Sequence, residues 1–165
     1  METKDQTFLM NKYLRDLREG DLEYLAENLR EADKEETLCN SEDVLEALRE
    51  SVELSYFVKV MDVSGKPMGL LGASEFQGSD HVIWAVATDE VNDHAVKFLR
   101  YSKDCIQMLF DISGATRLVN YTYAKNELHH RWLEWCGATL IREPLYVGPE
   151  GKPFFPFFIE RLRYV

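Results

Sequence analysis

The sequence predicts an α/β fold, an α+β sandwich in which one mixed sheet of six or seven strands carries helices on both faces. The chain has 165 residues, of which 45% are hydrophobic, enough to bury one core without disulfides or a structural metal. Strand-like and amphipathic segments alternate along it, and no repeat, low-complexity tract or linker divides them. We therefore expect residues 1–165 to form a single domain.

The first third of the chain predicts a strand and two helices. A weak strand at Phe8–Tyr13 precedes a helix over Asp21–Arg30, where apolar residues recur at helical spacing. A second helix is predicted from Ser41 to Leu54, with Asn40 or Ser41 as its N-cap.

The middle of the chain predicts three strands in an antiparallel meander. Tyr56–Asp62 and Pro67–Phe76 are rich in strand formers and are joined by a loop that contains Gly65. His81–Thr88 has an apolar run without alternation, which is typical of a central strand covered on both faces.

The last third predicts two helices and three strands. They are a long helix at Asp93–Ile112, a strand at Arg117–Tyr123, a helix at Asn126–Cys136, and strands at Thr139–Arg142 and Lys152–Arg163. The long helix is a crossover, so we expect Arg117–Tyr123 to lie parallel to, and beside, the strand that ends at Thr88.

Charge and cysteine content restrict the partners. A net charge of -10 repels a phosphate backbone, so we expect no nucleic-acid partner. An acidic chain can also dock on basic proteins or mimic DNA, but these charges are scattered through helical segments, as in an ordinary solvated surface. Cys39, Cys105 and Cys136 are odd in number and lack C-x-x-C spacing, which is typical of reduced intracellular thiols.

The N-terminal residues do not resemble an export signal. A positively charged stretch followed by an apolar one is missing there, and the longest apolar run, Val82–Ala87, is far too short to span a bilayer. We expect neither export nor a membrane anchor.

The run Asn126–Ala138 reads NELHHRWLEWCGA. Together with the order of elements it resembles the GNAT (GCN5-related N-acetyltransferase) superfamily, whose second motif has an Asn that opens a helix and a Gly that closes it, here Gly137. The resemblance covers nearly the whole chain and implies the GNAT-like acyl-CoA N-acyltransferase fold.

Three further segments carry a narrower resemblance. Leu29–Glu36, Arg131–Leu133 and Gly151–Phe155 are similar to the GNAT-like proteins of short-tailed phages, known as internal virion protein A or phage acetyltransferase-like proteins. This resemblance implies a bacteriophage protein of the host cytoplasm or the virion, with a phage structural or host protein as its partner.

The resemblance places the pyrophosphate of acetyl-CoA at Thr88–His94, where this chain has no glycine and three carboxylates, Asp89, Glu90 and Asp93. Like charges at about 4 Å and an effective dielectric near 20 cost about 4 kcal/mol each, more than the roughly 2 kcal/mol that a helix dipole supplies. Acidic residues are also ordinary at helix starts. We expect no cofactor.

An active enzyme would bind acetyl-CoA elsewhere on the same edge. The resemblance then places the contacts on the backbone near Val86 and Thr88 and on Asn126. The family's general acid, a Tyr seven positions after the Asn, is Leu133 here, which cannot donate a proton.

The catalytic residues therefore stay unknown, with three weak candidates. Asp89 is a candidate base, and Tyr123, or its neighbour Tyr121, is a substitute acid, although a strand Tyr more commonly packs across strands. His129 is the third. It is adjacent to His130 on a helix, so the two rings point about 100° apart and chelate one metal poorly. We expect no metal site, one exposed His and one half-buried, and a packing role for Cys136.

Two functions remain in competition. The first is a GNAT-fold protein with an eroded cofactor motif that binds a protein partner through the aromatic strand Phe154–Ile159, where some rings are expected to be exposed, or through the acidic helix start. The second is an active N-acetyltransferase acting on a host or phage protein, with Asp89 or an ordered water as base.

Overall fold

The computed structural model describes residues 12–164. Its elements in chain order are β1 (Leu14–Arg15), α1 (Asp21–Asn28), α2 (Glu31–Leu38), α3 (Val44–Leu54), β2 (Phe57–Asp62), β3 (Pro67–Gln77), β4 (Asp80–Ala87), α4 (Ala95–Ser113), β5 (Arg117–Tyr123), α5 (Glu127–Trp135), β6 (Thr139–Leu140), β7 (Leu145–Val147) and β8 (Lys152–Glu160). Short 3-10 turns follow β4 and β8, at Asp89–Asn92 and Arg161–Tyr164. The strand predicted at Phe8–Tyr13 falls largely outside the described residues.

The strands form one mixed sheet in the order β1-β2-β3-β4-β5-β8-β6, and β7 also pairs with β8. The predicted meander of β2, β3 and β4 and the parallel pairing of β4 with β5 are confirmed. The sheet has eight strands rather than six or seven, because the segment after α5 supplies two short strands that both pair with β8.

The sheet carries helices on both faces, as predicted. On one face Leu25, Leu29 and Leu48 pack against Val60 and Leu70 of the sheet. On the other face α4 buries one side against the sheet and α5. Each buried Leu contributes roughly 1.5–3 kcal/mol to folding. Within residues 12–164, none of the helices is long and apolar enough to cross a membrane.

β4 and β5 are paired only where they begin. Asp80–Val82 lies in register with Arg117–Val119, and beyond Ile83 the two strands separate. Asn120 bridges the start of this β4–β5 gap, since its Nδ2 donates to the carbonyl oxygen of Ile83 at 2.8 Å. Backbone groups that face such a gap need other partners.

The main departure from the sequence prediction is the helix α2, which was not predicted, together with the earlier end of α1. The helix predicted over Asp21–Arg30 ends at Asn28, and Leu29 and Arg30 are extended, with ψ of 148° and 142°. Leu29 is buried and forms an antiparallel bridge with Thr88, at the end of β4. The tertiary pairing overrides the helical pattern.

Two other boundaries differ for local reasons. The helix α3 begins at Val44 because Asp43, and neither Asn40 nor Ser41, is its N-cap, with a carboxylate that accepts from the Glu46 amide at 2.9 Å. The helix α4 begins at Ala95 because the preceding residues form the 3-10 turn.

The expectation of an exposed aromatic row on β8 is wrong. The strand is interior to the sheet, and Phe154 and Phe157 are buried while Phe155 and Phe158 are half-buried. The ring of His130 and the Arg142 guanidinium lie over Phe155. On the opposite face the Arg117 guanidinium lies over Phe158, so side chains partly cover both faces of this strand.

Gly148, in the turn between β7 and β8, lies against the end of α2. Its φ is +78°, and a Cβ there would overlap the carbonyl oxygen of Cys39, whereas Gly65, with φ +94°, has open space around it. We expect Gly148→Ala to lower the free energy of unfolding by about 2–4 kcal/mol and Gly65→Ala by about 1 kcal/mol, measured by urea denaturation. Equal losses would contradict the contact between the turn and α2.

Candidate functional site

The helix α2 lies across the β4–β5 gap and satisfies backbone groups on both sides of it. On β4, the Ala87 amide donates to Oδ2 of Asp33 at 3.0 Å, and the Ala87 carbonyl oxygen accepts from the Arg30 amide at 2.9 Å. On β5, the Tyr123 amide donates to Oε1 of Glu36 at 3.0 Å. One helix thereby joins two strand ends that do not pair with each other.

Asn126 connects the two carboxyl groups of α2 from the other side. Its side chain is almost fully buried, and its Nδ2 donates to Oδ1 of Asp33 at 2.9 Å and to Oε2 of Glu36 at 2.8 Å. Arg30 adds a contact from Nη1 to Oδ1 of Asp33 at 3.3 Å. These bonds offset the cost of burying two carboxyl groups in one place.

His129, on α5, completes this arrangement, and we call Arg30, Asp33, Glu36, Asn126 and His129 the gap network. The Nδ1 atom of His129 lies 3.4 Å from Oε2 of Glu36. Burial acts to lower the pKa of His129, but the hydrogen bond and charge of Glu36 outweigh it and raise that pKa above its ordinary value. Burial likewise acts to raise the pKa of Glu36, but hydrogen bonds from His129 and Asn126 hold it below its ordinary value.

Two clefts on opposite faces of the sheet meet at the gap network. The apolar cleft lies between the sheet, α4 and α5, and its volume is about 640 Å³ when the open space at its mouth is included. The polar cleft lies between α2, α3 and β4, and has about 890 Å³ counted in the same way. Asp33 lines both clefts, His129 lines the apolar one and Glu36 the polar one.

Trp132 closes one wall of the apolar cleft. Its ring stacks on His129 with centroids 5.4 Å apart, and its Nε1 donates to Oγ of Ser102 at 2.8 Å. Since Trp132 lies on α5 and Ser102 on α4, this bond joins the two helices beside the cleft.

The residues expected to contact a cofactor all lie at the gap but are already engaged. Val86 is paired with Leu70 of β3, and the Thr88 amide donates to the carbonyl oxygen of Met68 at 2.9 Å. Asn126 belongs to the gap network. Their contact with a cofactor stays a prediction, and the structure adds the bonds that these residues make within the chain.

Of the three catalytic candidates, only His129 lines a cleft. Asp89 is exposed in the 3-10 turn. Tyr123 is buried away from both clefts, with its hydroxyl donating to Oε1 of Glu35 at 3.3 Å, and burial raises its pKa. Its neighbour Tyr121 is exposed, and Leu133 is buried.

The two adjacent histidines point to different surroundings, but both are more covered than expected. His130 is buried, and its Nε2 lies 2.9 Å from the carbonyl oxygen of Tyr123, so that nitrogen carries the proton. Burial lowers the pKa of His130. Burial also raises the pKa of Cys136 to about 12, which agrees with a packing role.

Asp33, Glu36 and His129 also form a set of metal-ligand types, with ligand atoms all within 4.8 Å of one another. Sequence reasoning considered only the pair of adjacent histidines and missed this set, because Asp33 and Glu36 lie far from His129 along the chain. The Nδ2 atom of Asn126 bonds both carboxylates, so a cation would have to displace a hydrogen-bond donor.

Searches with protein-family models and among curated proteins find no match to the chain. Solved structures do match. The spermidine N-acetyltransferase of Vibrio cholerae, in complex with CoA and spermine, has a TM-score of 0.69 at 15% identity and covers 92% of this chain and 96% of its own. A GNAT-family acetyltransferase of Bacillus anthracis has a TM-score of 0.67 at 13% identity, with coverages of 90% and 94%. An aminoglycoside acetyltransferase in complex with coenzyme A has a TM-score of 0.67 at 18% identity, with coverages of 92% and 96%. At this level of identity the similarity establishes the GNAT acetyltransferase fold.

The bonds of Asn126 predict its contribution to stability. Asn126→Ala removes a donor shared by the buried carboxyl group of Asp33 and the half-buried one of Glu36, and we expect it to lower the free energy of unfolding by about 3 kcal/mol. Asn120→Ala, the matched control, removes one bond to a neutral carbonyl and should cost about 1 kcal/mol. Urea denaturation of both variants checks this, and similar losses would contradict the role of the carboxyl groups.

The pKa shifts predict a pH dependence. The raised pKa of His129 gives stability that is complete below its ordinary value of 6.5 and is lost as pH rises through its folded-state pKa. The lowered pKa of Glu36 gives stability that is present above its ordinary value of 4.5 and is lost as pH falls through its folded-state pKa.

We therefore expect His129→Gln to lower the free energy of unfolding most between about pH 4.5 and 6.5, and less at alkaline pH. Chemical denaturation of both proteins across this range measures the difference. A difference that stays constant with pH would rule out the ion pair.

Proposed function

We propose that this chain, which has the GNAT acetyltransferase fold, acts by binding another protein and does not use acetyl-CoA. The observation that carries the proposal is that hydrogen bonds within the chain already occupy the β4 edge at Ala87. Both backbone groups of Ala87 that face the gap are bonded to Arg30 and Asp33. A ligand that pairs with Ala87 must displace Arg30 and Asp33, and each broken buried hydrogen bond costs about 1–3 kcal/mol.

The turn after β4 gives independent support. The resemblance places a diphosphate at this turn, and Asp89 and Asp93 are exposed there. Glu90 lies in the same turn, 3.7 Å from Nε2 of His94. The segment has no glycine to let backbone approach a diphosphate closely. The residues present therefore do not fit the pyrophosphate of acetyl-CoA.

The partner we propose is a phage structural or host protein, in the virion or the host cytoplasm. The resemblance to phage proteins supports it, and one of the resembling segments, Leu29–Glu36, builds most of the gap network. The contact surface we propose is the acidic turn with Val96, which is 79% exposed in the first turn of α4. An apolar side chain beside carboxylates is typical of an interface with a basic partner.

A second function, acetyl-CoA-dependent N-acetylation of a host or phage protein, is favoured by one observation. The pair His129 and Glu36 lies where two clefts meet, the geometry that a reaction between two substrates requires. The carboxyl groups of Asp33, Glu36 and Glu50 line the polar cleft and suit a cationic amine. The spermidine and aminoglycoside acetyltransferases named above share the fold.

A thermal-shift measurement separates the two functions. A ligand at a hundred times its dissociation constant adds about 2.7 kcal/mol, which is about 5–10 °C in Tm for a chain of this size. We expect millimolar acetyl-CoA to leave the Tm unchanged. A saturable rise of that size would overturn the proposal in favour of the enzyme.

The proposed contact surface is tested by co-purification from phage-infected cells. We expect the double variant Asp89→Asn with Asp93→Asn to lose at least tenfold in partner recovery, because it removes two carboxylates from the acidic rim. The control is Glu53→Gln with Asp111→Asn, which changes the charge equally at two exposed positions elsewhere. Equal recovery with both double variants would refute this placement.

A further inference from the structure

We propose that the apolar cleft binds a small amphipathic anion, an unbranched apolar chain ending in a carboxylate, and that the Arg30 guanidinium holds the carboxylate. This inference goes beyond the proposed function and does not rest on it.

The shape of the cleft floor suits a narrow chain. Lys59, Leu71 and Ala85 are neighbours in one row across β2, β3 and β4, and Gly69 and Ala87 continue the next row. Since strands are spaced about 4.8 Å apart, this floor runs roughly 10 Å from β2 to β4. Small side chains on β4 and the missing side chain of Gly69 leave open space above it.

The walls leave few polar groups for a ligand. Phe98 and Cys105 of α4 and Leu128 of α5 line the cleft. The polar atoms of Trp132 and Ser102 on these walls are bonded to each other. A hydrocarbon chain therefore gains burial there without leaving a wall donor or acceptor unpaired.

The charges of the lining select an anion. The basic side chains Arg30, Lys59 and His129 line the cleft, and Asp33 is its one acidic residue among the described residues. Carboxylates from outside the lining pair with two of these side chains, Asp16 with Lys59 and Glu36 with His129. Arg30 is therefore the cation of the lining that is left to hold a negatively charged head group.

Arg30 is the cation best placed to hold that head group. Its side chain is 13% exposed, and within residues 12–164 its one hydrogen bond is the 3.3 Å contact from Nη1 to Asp33. The Nε and Nη2 atoms remain for a bidentate contact, which suits a carboxylate. Lys59 is instead held by Asp16. The backbone bond from Arg30 to Ala87 fixes the residue at the β4 end of the floor.

Isothermal titration calorimetry with decanoate on the intact chain tests the proposal. We expect saturable binding of decanoate and at least tenfold weaker binding of decyltrimethylammonium, which has the same chain with a cationic head. Octanoate, two methylenes shorter, should bind about fifteenfold more weakly than decanoate, since each buried methylene contributes about fourfold. Equal binding of the anionic and cationic amphiphiles, or no dependence on chain length, would overturn the proposal.

Two matched variants locate the head group. Arg30→Gln should weaken decanoate binding at least tenfold, because it removes a charged hydrogen bond. Arg49→Gln, the same change on the exposed surface of α3, should leave it within twofold. Equal affinities of the two variants would overturn the role of Arg30. If Arg30→Gln fails to fold, the head-group and chain-length comparisons on the unmodified chain still test whether the cleft binds an amphipathic anion.

Acetyl-CoA in the same calorimeter separates this inference from the proposed function. Saturable acetyl-CoA binding would overturn the proposed function, whereas absence of decanoate binding would overturn only the amphiphile site. Decanoate binding without acetyl-CoA binding supports both.

Discussion

The structure depends on one constraint, the need to satisfy the backbone of two central strands that stop pairing with each other. β4 and β5 are in register only over three residues each. Beyond that point a buried amide without a partner would cost about as much as a lost hydrogen bond. The carboxyl groups of Asp33 and Glu36 supply the missing acceptors, one for each strand. The position of α2, the burial of Asn126 and the meeting of the two clefts all follow from this solution.

This solution links stability to function. A gap in the middle of a sheet is a natural place for a ligand, because the backbone there is exposed on an edge. Here the same edge is used by the chain itself, at Ala87. The gap network also places one histidine and one glutamate in contact at the junction of the clefts. The chain thus has the fold of an acetyltransferase, and the β4 edge at Ala87 contributes to the stability of that fold.

The outer surface of this protein and its apolar cleft differ in charge. The outside is acidic, and the turn after β4 presents exposed carboxylates from Asp89 and Asp93. The apolar cleft differs, since the half-buried Arg30 guanidinium lines it and keeps donors beyond its contact with Asp33. Because a charge inside a cleft is screened less than one on the surface, a single half-buried cation can decide which ligand enters an acidic protein. The outside and the cleft therefore favour different classes of partner.

The sequence by itself determined the order of the elements, the meander, the parallel neighbours β4 and β5, the turn without glycine and the apolar residue Leu133. These follow from local periodicity and from the chirality of a crossover. It also predicted the helix α5, which begins after Asn126 and carries His129. Only the tertiary structure decided that residues 29 and 30 leave the helix to pair with β4, and that Asp33, Glu36 and Asn126 meet. The physical reason is that these bonds join residues up to 93 positions apart, and partners so far apart leave no periodic trace in the sequence.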